Sequence, residues 1–135
     1  MKFELLTLGG TKFSGEAESI HLRLASGEAG ILPHHEPVTA VALPGPLQVH
    51  LAGGKTQVFA AHGGLLVVKE SVTQLLADEA EAADELIEHE IEAALEKAEQ
   101  LKAKAKTKHE LEKAQHLVDR HHVRLQVARL RRRRH

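Results

Sequence analysis

Val72-Thr73-Gln74-Leu75-Leu76-Ala77-Asp78-Glu79-Ala80-Glu81-Ala82-Ala83-Asp84-Glu85 is the stretch in which this 135-residue chain changes its rhythm. Its opening is β-branched and apolar; its end is alanine and carboxylate. All ten glycines and all four prolines lie before it, at or before residue 64. Glycine and proline punctuate short strands and turns, whereas alanine, glutamate, lysine and leucine lose least on entering a helix. The chain therefore divides near residue 80 into a β-rich part and a helical part, an α+β fold.

Upstream, the segments between glycines and prolines alternate apolar and polar residues with the period of a half-buried strand. Leu47, Val49 and Leu51 share one face, Gly53-Gly54 follows, and Val58 and Ala60 resume the alternation, so residues 47–60 read as a β-hairpin with a glycine turn. Short strands are predicted at residues 3–8, 19–25, 39–43, 65–68 and 72–76. Many short strands joined by turns make an antiparallel sandwich or barrel.

Downstream, Asp78, Glu79, Glu81, Asp84 and Glu85 crowd the start of a first helix, where carboxylates meet the positive end of the helix dipole, and Lys102, Lys104 and Lys106 sit near its end. That helix is predicted over roughly residues 80–105. Ala83, Ile87, Ile91, Ala94, Ala98, Leu101 and Ala105 draw one apolar stripe along it, rich in small residues that permit close approach. A second helix begins near Thr107, with Glu110 at capping-box spacing. Its stripe is Leu111, Ala114, Val118, His121, Leu125 and Ala128, and the short Lys106-Thr107-Lys108 connection folds the two into an antiparallel hairpin. Val123, Val127 and Leu130 lie on the opposite side of the second helix, at about 100° per residue. A hairpin alone cannot bury both sides, so this face, interleaved with Arg120, Arg124, Arg129 and the run Arg131-Arg132-Arg133-Arg134, reads as a partner-binding surface. The competing reading is a frayed, solvated terminus.

The net charge of −1 conceals a strong polarity. Residues 1–80 hold 5 Lys/Arg against 8 Asp/Glu, residues 81–99 hold 1 against 8, and residues 100–135 hold 12 against 3, giving −3, −7 and +9. Such blocks are placed for a partner or for each other. At 135 residues any core is modest and a deep active site is not expected. The absence of cysteine removes disulfides, thiolate nucleophiles and sulfur-ligated zinc. Met1 to Gly10 carries one lysine and a short apolar alternation, so no signal peptide is expected.

Other motifs carry little chemistry. Gly53-Gly54-Lys55-Thr56 ends like a phosphate-binding loop, but Val49 stands where that motif needs glycine and a strand follows the threonine. Eleven histidines include the adjacent pairs His34-His35 and His121-His122, whose members cannot both point to one metal on a regular element. No nucleophile has a matching base. Protonating every histidine would move the net charge from −1 to +10, so an acid response of the arm through His89, His109, His116, His121, His122 and His135 is expected to be worth testing. Nucleic-acid binding rests only on the terminal arginines, against an acidic first helix and three phenylalanines without tyrosine or tryptophan. Nothing in the loops favours a carbohydrate- or peptide-binding sandwich.

The strand half also carries words. Phe13-Ser14-Gly15, Gly27-Glu28-Ala29-Gly30-Ile31-Leu32-Pro33-His34-His35-Glu36-Pro37-Val38, Leu43-Pro44-Gly45, His62-Gly63-Gly64-Leu65-Leu66-Val67-Val68 and Val72-Thr73-Gln74-Leu75-Leu76-Ala77-Asp78 follow one another in register. Together with the helical pair they resemble the epsilon subunit of F-type ATP synthases. The resemblance implies an N-terminal antiparallel β-sandwich of about ten strands over residues 1–79, docked on the gamma subunit and the c-ring, and a C-terminal antiparallel two-helix hairpin over residues 80–135. It implies a non-catalytic rotor subunit of the central stalk, which couples proton translocation through the c-ring to ATP synthesis. The protein would be peripheral, on the cytoplasmic face of the bacterial plasma membrane, touching the membrane only through partners.

Within that family the loop matching residues 28–35 faces the ring, so Glu28 and His35 are carried over as c-ring-side contacts, with His34 standing where the family has glycine. The hairpin implies a switch that permits turnover when folded and blocks ATP hydrolysis when extended along gamma into the alpha/beta hexamer. Arg120, Arg124, Arg129, Arg131, Arg132, Arg133 and Arg134 would be its inhibitory basic arm. Some members bind ATP at Ile/Leu-Asp-x-x-Arg-Ala, but the matching residues here are Leu86-Ile87-Glu88-His89-Glu90-Ile91, so no ATP site of that type and no cofactor are expected.

Overall fold

The structure, a computed structural model, describes residues 1–134, with side chains described through Arg132. Eight strands precede two helices: β1 (Lys2–Thr7), β2 (Gly10–Glu16), β3 (Ser19–Leu24), β4 (Gly27–Ile31), β5 (Val38–His50), β6 (Thr56–Val68), β7 (Val72–Ala77), β8 (Ala80–Ala82), α1 (Glu88–Lys104) and α2 (Lys108–Arg134). The strands pair in the order β2-β1-β7-β6-β5-β3-β4, and β8 joins the free side of β6. The sheet folds over on itself. Phe13 of β2, at one end of that order, meets Phe59 of β6 edge-on with ring centroids 6.3 Å apart. Between the folded layers lies one apolar core that includes Phe3, Leu5, Ile20, Leu47, Val49, Leu66 and Leu75, all fully buried. This is the β-sandwich that the strand-half periodicity predicts.

Two features were not foreseen. β1 runs parallel to β7, while the remaining pairings are antiparallel. Eight strands also stand where the resemblance implies about ten, because β5 and β6 continue for thirteen residues each, about twice the usual strand length. β6 departs from strand geometry at Gly63 and Gly64, and its two halves pair with different strands, β7 beyond the glycines and β8 before them. The Gly53-Gly54 segment is a turn with left-handed glycines, and a strand follows it.

The first helix begins at Glu88, eight residues later than the expected start near residue 80. Ala80–Ala82 is instead a strand, its residues paired with Phe59, Ala60 and Ala61, and Ala83–Glu85 is a single 3₁₀ turn. Helix propensity in this alanine-rich segment yields to the open edge of β6, whose backbone groups need partners. Strand pairing thus continues three residues past a division at residue 79. The hairpin itself forms as expected, with a connection at residues 105–107. Glu110 N–H donates to Thr107 Oγ1 at 3.1 Å, and the Glu110 carboxylate accepts from Lys106 N–H at 3.0 Å. The box closes on Lys106, one residue before the cap.

α2 lies between α1 and the sheet, packing on β5, β6 and the 3₁₀ turn on one side and on α1 on the other. This placement accounts for both apolar faces of the helix. Val123 and Val127, together with Leu125 and Ala128, share a cluster with Val58 and Ala60 of β6, Ala83, Leu86 and Ile91. The β5–β6 register pairs Leu47 with Phe59 and Gln48 with Val58, so Phe59 looks into the sandwich while Val58 and Ala60 look out at the arm. Farther along, where the hairpin runs past the sheet, Leu101 and Leu111 of the expected stripes stay exposed.

Gly64 is the tightest point of the sheet. At φ 145° its missing side chain leaves room for β7, and a Cβ there would run into the Leu76 carbonyl and stand 2.8 Å from Ala77 Cα. Gly64→Ala should therefore lower stability by more than about 3 kcal/mol, whereas Gly63→Ala, strained at φ 86° but with no contact below 3.4 Å, should cost about 1–2 kcal/mol. Thermal unfolding followed by circular dichroism ranks the two; equal midpoints would refute the close approach.

Candidate functional site

The acidic and basic blocks of the sequence meet each other. β8 presents Glu81 beside His62 of β6, and α2 lays Arg120 and Arg124 over both. His62 Nε2 donates to Glu81 Oε1 at 3.2 Å, Arg124 Nε stands 3.0 Å from the same oxygen, and Arg120 Nη2 lies 3.8 Å away. Arg120 Nη1 also contacts the Glu79 carboxylate. One turn on, Arg124 Nη1 is 3.1 Å from His121 Nδ1. A second cluster ties the end of α2 to the start of α1. Arg129 Nε bonds Glu88 Oε1 at 3.1 Å and reaches within 3.9 Å of Glu92, and Arg132 Nε stands 3.6 Å from Glu88 Oε2.

Four of the seven arginines singled out from the sequence are thus paired within the chain. Arg131 is exposed and lines a cleft with Thr56, Gln57 and Asp84, while the side chains of Arg133 and Arg134, and His135, lie outside the described residues. Sequence reasoning missed the counter-charges Glu79, Glu81, Glu88 and His62, although the −7 block against the +9 block was the signal for Glu81 and Glu88. Glu88 occupies a position of the unmatched nucleotide motif and is engaged by Arg129 and Arg132.

Glu28 and His35 are not brought into contact. Glu28 lies on β4 opposite Arg23, 3.9 Å from its guanidinium, and its side chain is exposed. His35 follows in the turn after β4, where its Nδ1 donates to the Glu36 carbonyl at 2.8 Å. His34 takes φ 67°, the only non-glycine at positive φ among the described residues. It adopts the left-handed conformation that glycine would enter without strain.

Elsewhere the sandwich carries a bare apolar row. Val41 of β5 pairs with Leu65 of β6, Leu65 with Leu76 of β7, and Leu76 with Leu6 of β1, so these four project from one side of the sheet, away from Leu66 and Leu75 in the core. Val41 is 55% exposed and Leu76 41%, and Leu43 extends the row along β5. Contiguous exposed apolar surface is the character of contact faces.

Protons act on the first charge cluster with a definite sign. Burial lowers the pKa of His121, the Arg124 and Arg120 guanidiniums lower it further, and Glu81 opposes them. The bond from Arg124 to Nδ1 needs that nitrogen unprotonated. With the arm released, the ring returns toward 6.5, so docking keeps its full stability above that pH and loses it as the pH falls below. Glu81 is lowered chiefly by the hydrogen bond from His62, which stays with the sheet when the arm lifts, against a burial that raises it, so only the share due to Arg124 adds a second loss of docking in stronger acid, below about 4.5. NMR titration of the full chain should place the His121 midpoint under 6.5, and amide protection factors along α2, taken relative to the intrinsic exchange rate at each pH, should fall from about pH 7 to about pH 5.5. A midpoint at or above 6.5 would contradict the docked geometry.

Comparison with known proteins agrees with this architecture. Residues 1–83 match the family model described as ATP synthase, Delta/Epsilon chain, beta-sandwich domain. The ATP synthase epsilon chain of Herpetosiphon aurantiacus is 36% identical over 134 residues, 99% of this chain and 98% of that one. The ATP synthase epsilon chain of Acinetobacter baylyi is 36% identical over 107 residues, covering 79% and 77%. A chain in the Euglena gracilis mitochondrial ATP synthase assembly OSCP/F1/c-ring superposes with a TM-score of 0.81 at 24% identity, over 95% of this chain and 79% of that one. A chain in the Tetrahymena thermophila mitochondrial ATP synthase central stalk and c-ring superposes with a TM-score of 0.64 at 14% identity, over 95% and 96%. Among the described residues no helix is long and apolar enough to cross a membrane. By the family model that spans its sandwich and by a relative that spans its full length, this chain belongs to the ATP synthase epsilon chain family.

Proposed function

We propose that the chain is a non-catalytic rotor subunit of an F-type ATP synthase, coupling proton movement through the c-ring to ATP synthesis on other chains and restraining ATP hydrolysis through its C-terminal helices. The observation that carries this reading is the bare row Val41–Leu65–Leu76 on a sandwich whose neighbouring outer face is covered by the helical arm. The row supports docking on gamma. The β4 edge and the turn carrying His35 support a c-ring contact that includes Glu28 and His35. The protein acts on the cytoplasmic face of the bacterial plasma membrane and touches it only through these partners.

The arm suits a switch. Its contact with the sheet rests on Val123, Val127, Val58 and Ala60 plus partly exposed ion pairs. Valine burial is worth about 1.5–3 kcal/mol per side chain before ordering entropy is subtracted, and partly exposed pairs add little. Docking is then a matter of a few kcal/mol, the range in which two packings exchange. In the extended state the basic arm would engage gamma and, transiently, the alpha/beta hexamer. Nucleic-acid binding has less support, because Arg120, Arg124, Arg129 and Arg132 already face carboxylates.

The test is ATP hydrolysis by the catalytic complex with no epsilon, with the full chain, and with a version ending at Lys106. The full chain should inhibit and the truncated one should not, while both co-purify with gamma. Leu65→Asp should abolish co-purification without unfolding the sandwich. Binding without inhibition by either version would leave a coupling subunit whose arm is not a brake; failure of both to bind gamma would overturn the assignment.

A further inference from the structure

We propose that Glu4, aimed by Gln74 in the middle of the bare apolar face, selects what docks there: the partner surface must bring a cationic donor, an arginine by preference, opposite the Glu4 carboxylate. The inference rests on the reading that gamma docks on this face, and it adds what gamma must carry at one point of the contact.

β1 sets Lys2, Glu4 and Leu6 on the outer side of the sheet, because Phe3 and Leu5 between them are fully buried in the core. Strand register lays two adjoining rows on that side. One is the apolar row of Val41, Leu65, Leu76 and Leu6. The other, one pleat along, runs Thr39–Val67–Gln74–Glu4–Ser14. Gln74 Nε2 donates to Glu4 Oε1 at 2.9 Å across the parallel β1–β7 pair, and both residues are half-buried. Among the described residues the Glu4 carboxylate accepts this one side-chain hydrogen bond and has no ion-pair partner. The amide fixes one oxygen, and solvent serves the rest of the group.

A partner seated on the apolar row excludes that solvent. A carboxylate taken out of water against one neutral amide opposes docking, whereas the same carboxylate met by a guanidinium favours it and fixes the register. Glu4 thus rejects a purely apolar partner and accepts one with a cation in the right place. Arginine suits this better than lysine, since its guanidinium is less strongly hydrated and can bond both carboxylate oxygens. A second copy presenting the same face does not meet the requirement. Strands β1, β2, β5, β6 and β7 contain no arginine.

The test is the Kd of the full chain for an epsilon-free catalytic complex that contains gamma. Glu4→Gln keeps the size of the side chain and its bond to Gln74 while removing the charge, and should raise Kd about 10- to 100-fold. Glu4→Asp, which keeps the charge, should recover part of that loss. Gln74→Leu enlarges the apolar surface but releases the carboxylate, and should raise Kd about threefold. All three should keep the thermal midpoint of the parent within about 3 °C, which separates loss of binding from loss of fold. An unchanged or lower Kd for Glu4→Gln, with Leu65→Asp still abolishing binding, overturns the cation and leaves the docking face standing. A parent that does not bind, or that binds with Leu65→Asp unaffected, overturns the docking reading and this inference with it. A dimer of the chain alone that is lost in Leu65→Asp would give the face to a second copy and overturn both.

Discussion

Strand β6 is covered on both sides over Val58 to Ala61, and that double burial is the constraint on which the rest depends. Phe59 and Ala61 close the sandwich core, and Val58 and Ala60, one residue out of phase, form the seat for α2. A strand with a period of two can serve two apolar layers only if both of its faces are apolar, and residues 58–61 meet that condition in four consecutive positions. The arm is thereby joined to the strand that stands at the centre of the sheet order. Local disturbance of β6 reaches the core and the arm together.

The electrostatics reinforce the same junction without adding much stability of their own. Glu81 and Arg124 are each 23% exposed, and pairs at such sites are screened and repay little beyond their desolvation. What they contribute is registry. Val123 and Val127 could slide along a smooth row of small side chains, whereas a carboxylate held at once by a histidine on the sheet and two arginines on the helix fixes one position.

Much of this was legible in the sequence. Periods of two and of three to four residues located five of the eight strands and both helices. The three missed strands explain themselves. β2 has one large apolar residue, Phe13; β4 carries two glycines; β8 is Ala-Glu-Ala, which reads as helix and becomes strand only because β6 has an open edge beside it. The parallel β1–β7 pairing joins the first strand to one that begins at residue 72, a relation that local pattern does not encode. The second apolar face of α2 was correctly read as surplus to the hairpin, but its occupant in this structure is the chain's own sheet. That outcome required knowing that Val58 and Ala60 face away from Leu47, which follows from the Leu47↔Phe59 register and not from the alternation alone.

The turn between the helices has a consequence for the shape the arm can take. Lys104-Ala105-Lys106-Thr107-Lys108 contains neither glycine nor proline, so nothing covalent stops a helix from running through it. The bend is held by two hydrogen bonds, from Glu110 N–H to Thr107 and from Lys106 N–H to Glu110, and by the packing of α1 on α2. Such a bend is a reversible fold in a single rod. With its caps undone, residues 88–134 could straighten into one helix about 70 Å long at 1.5 Å per residue, so the same side chains that make a compact clasp also encode a single long probe.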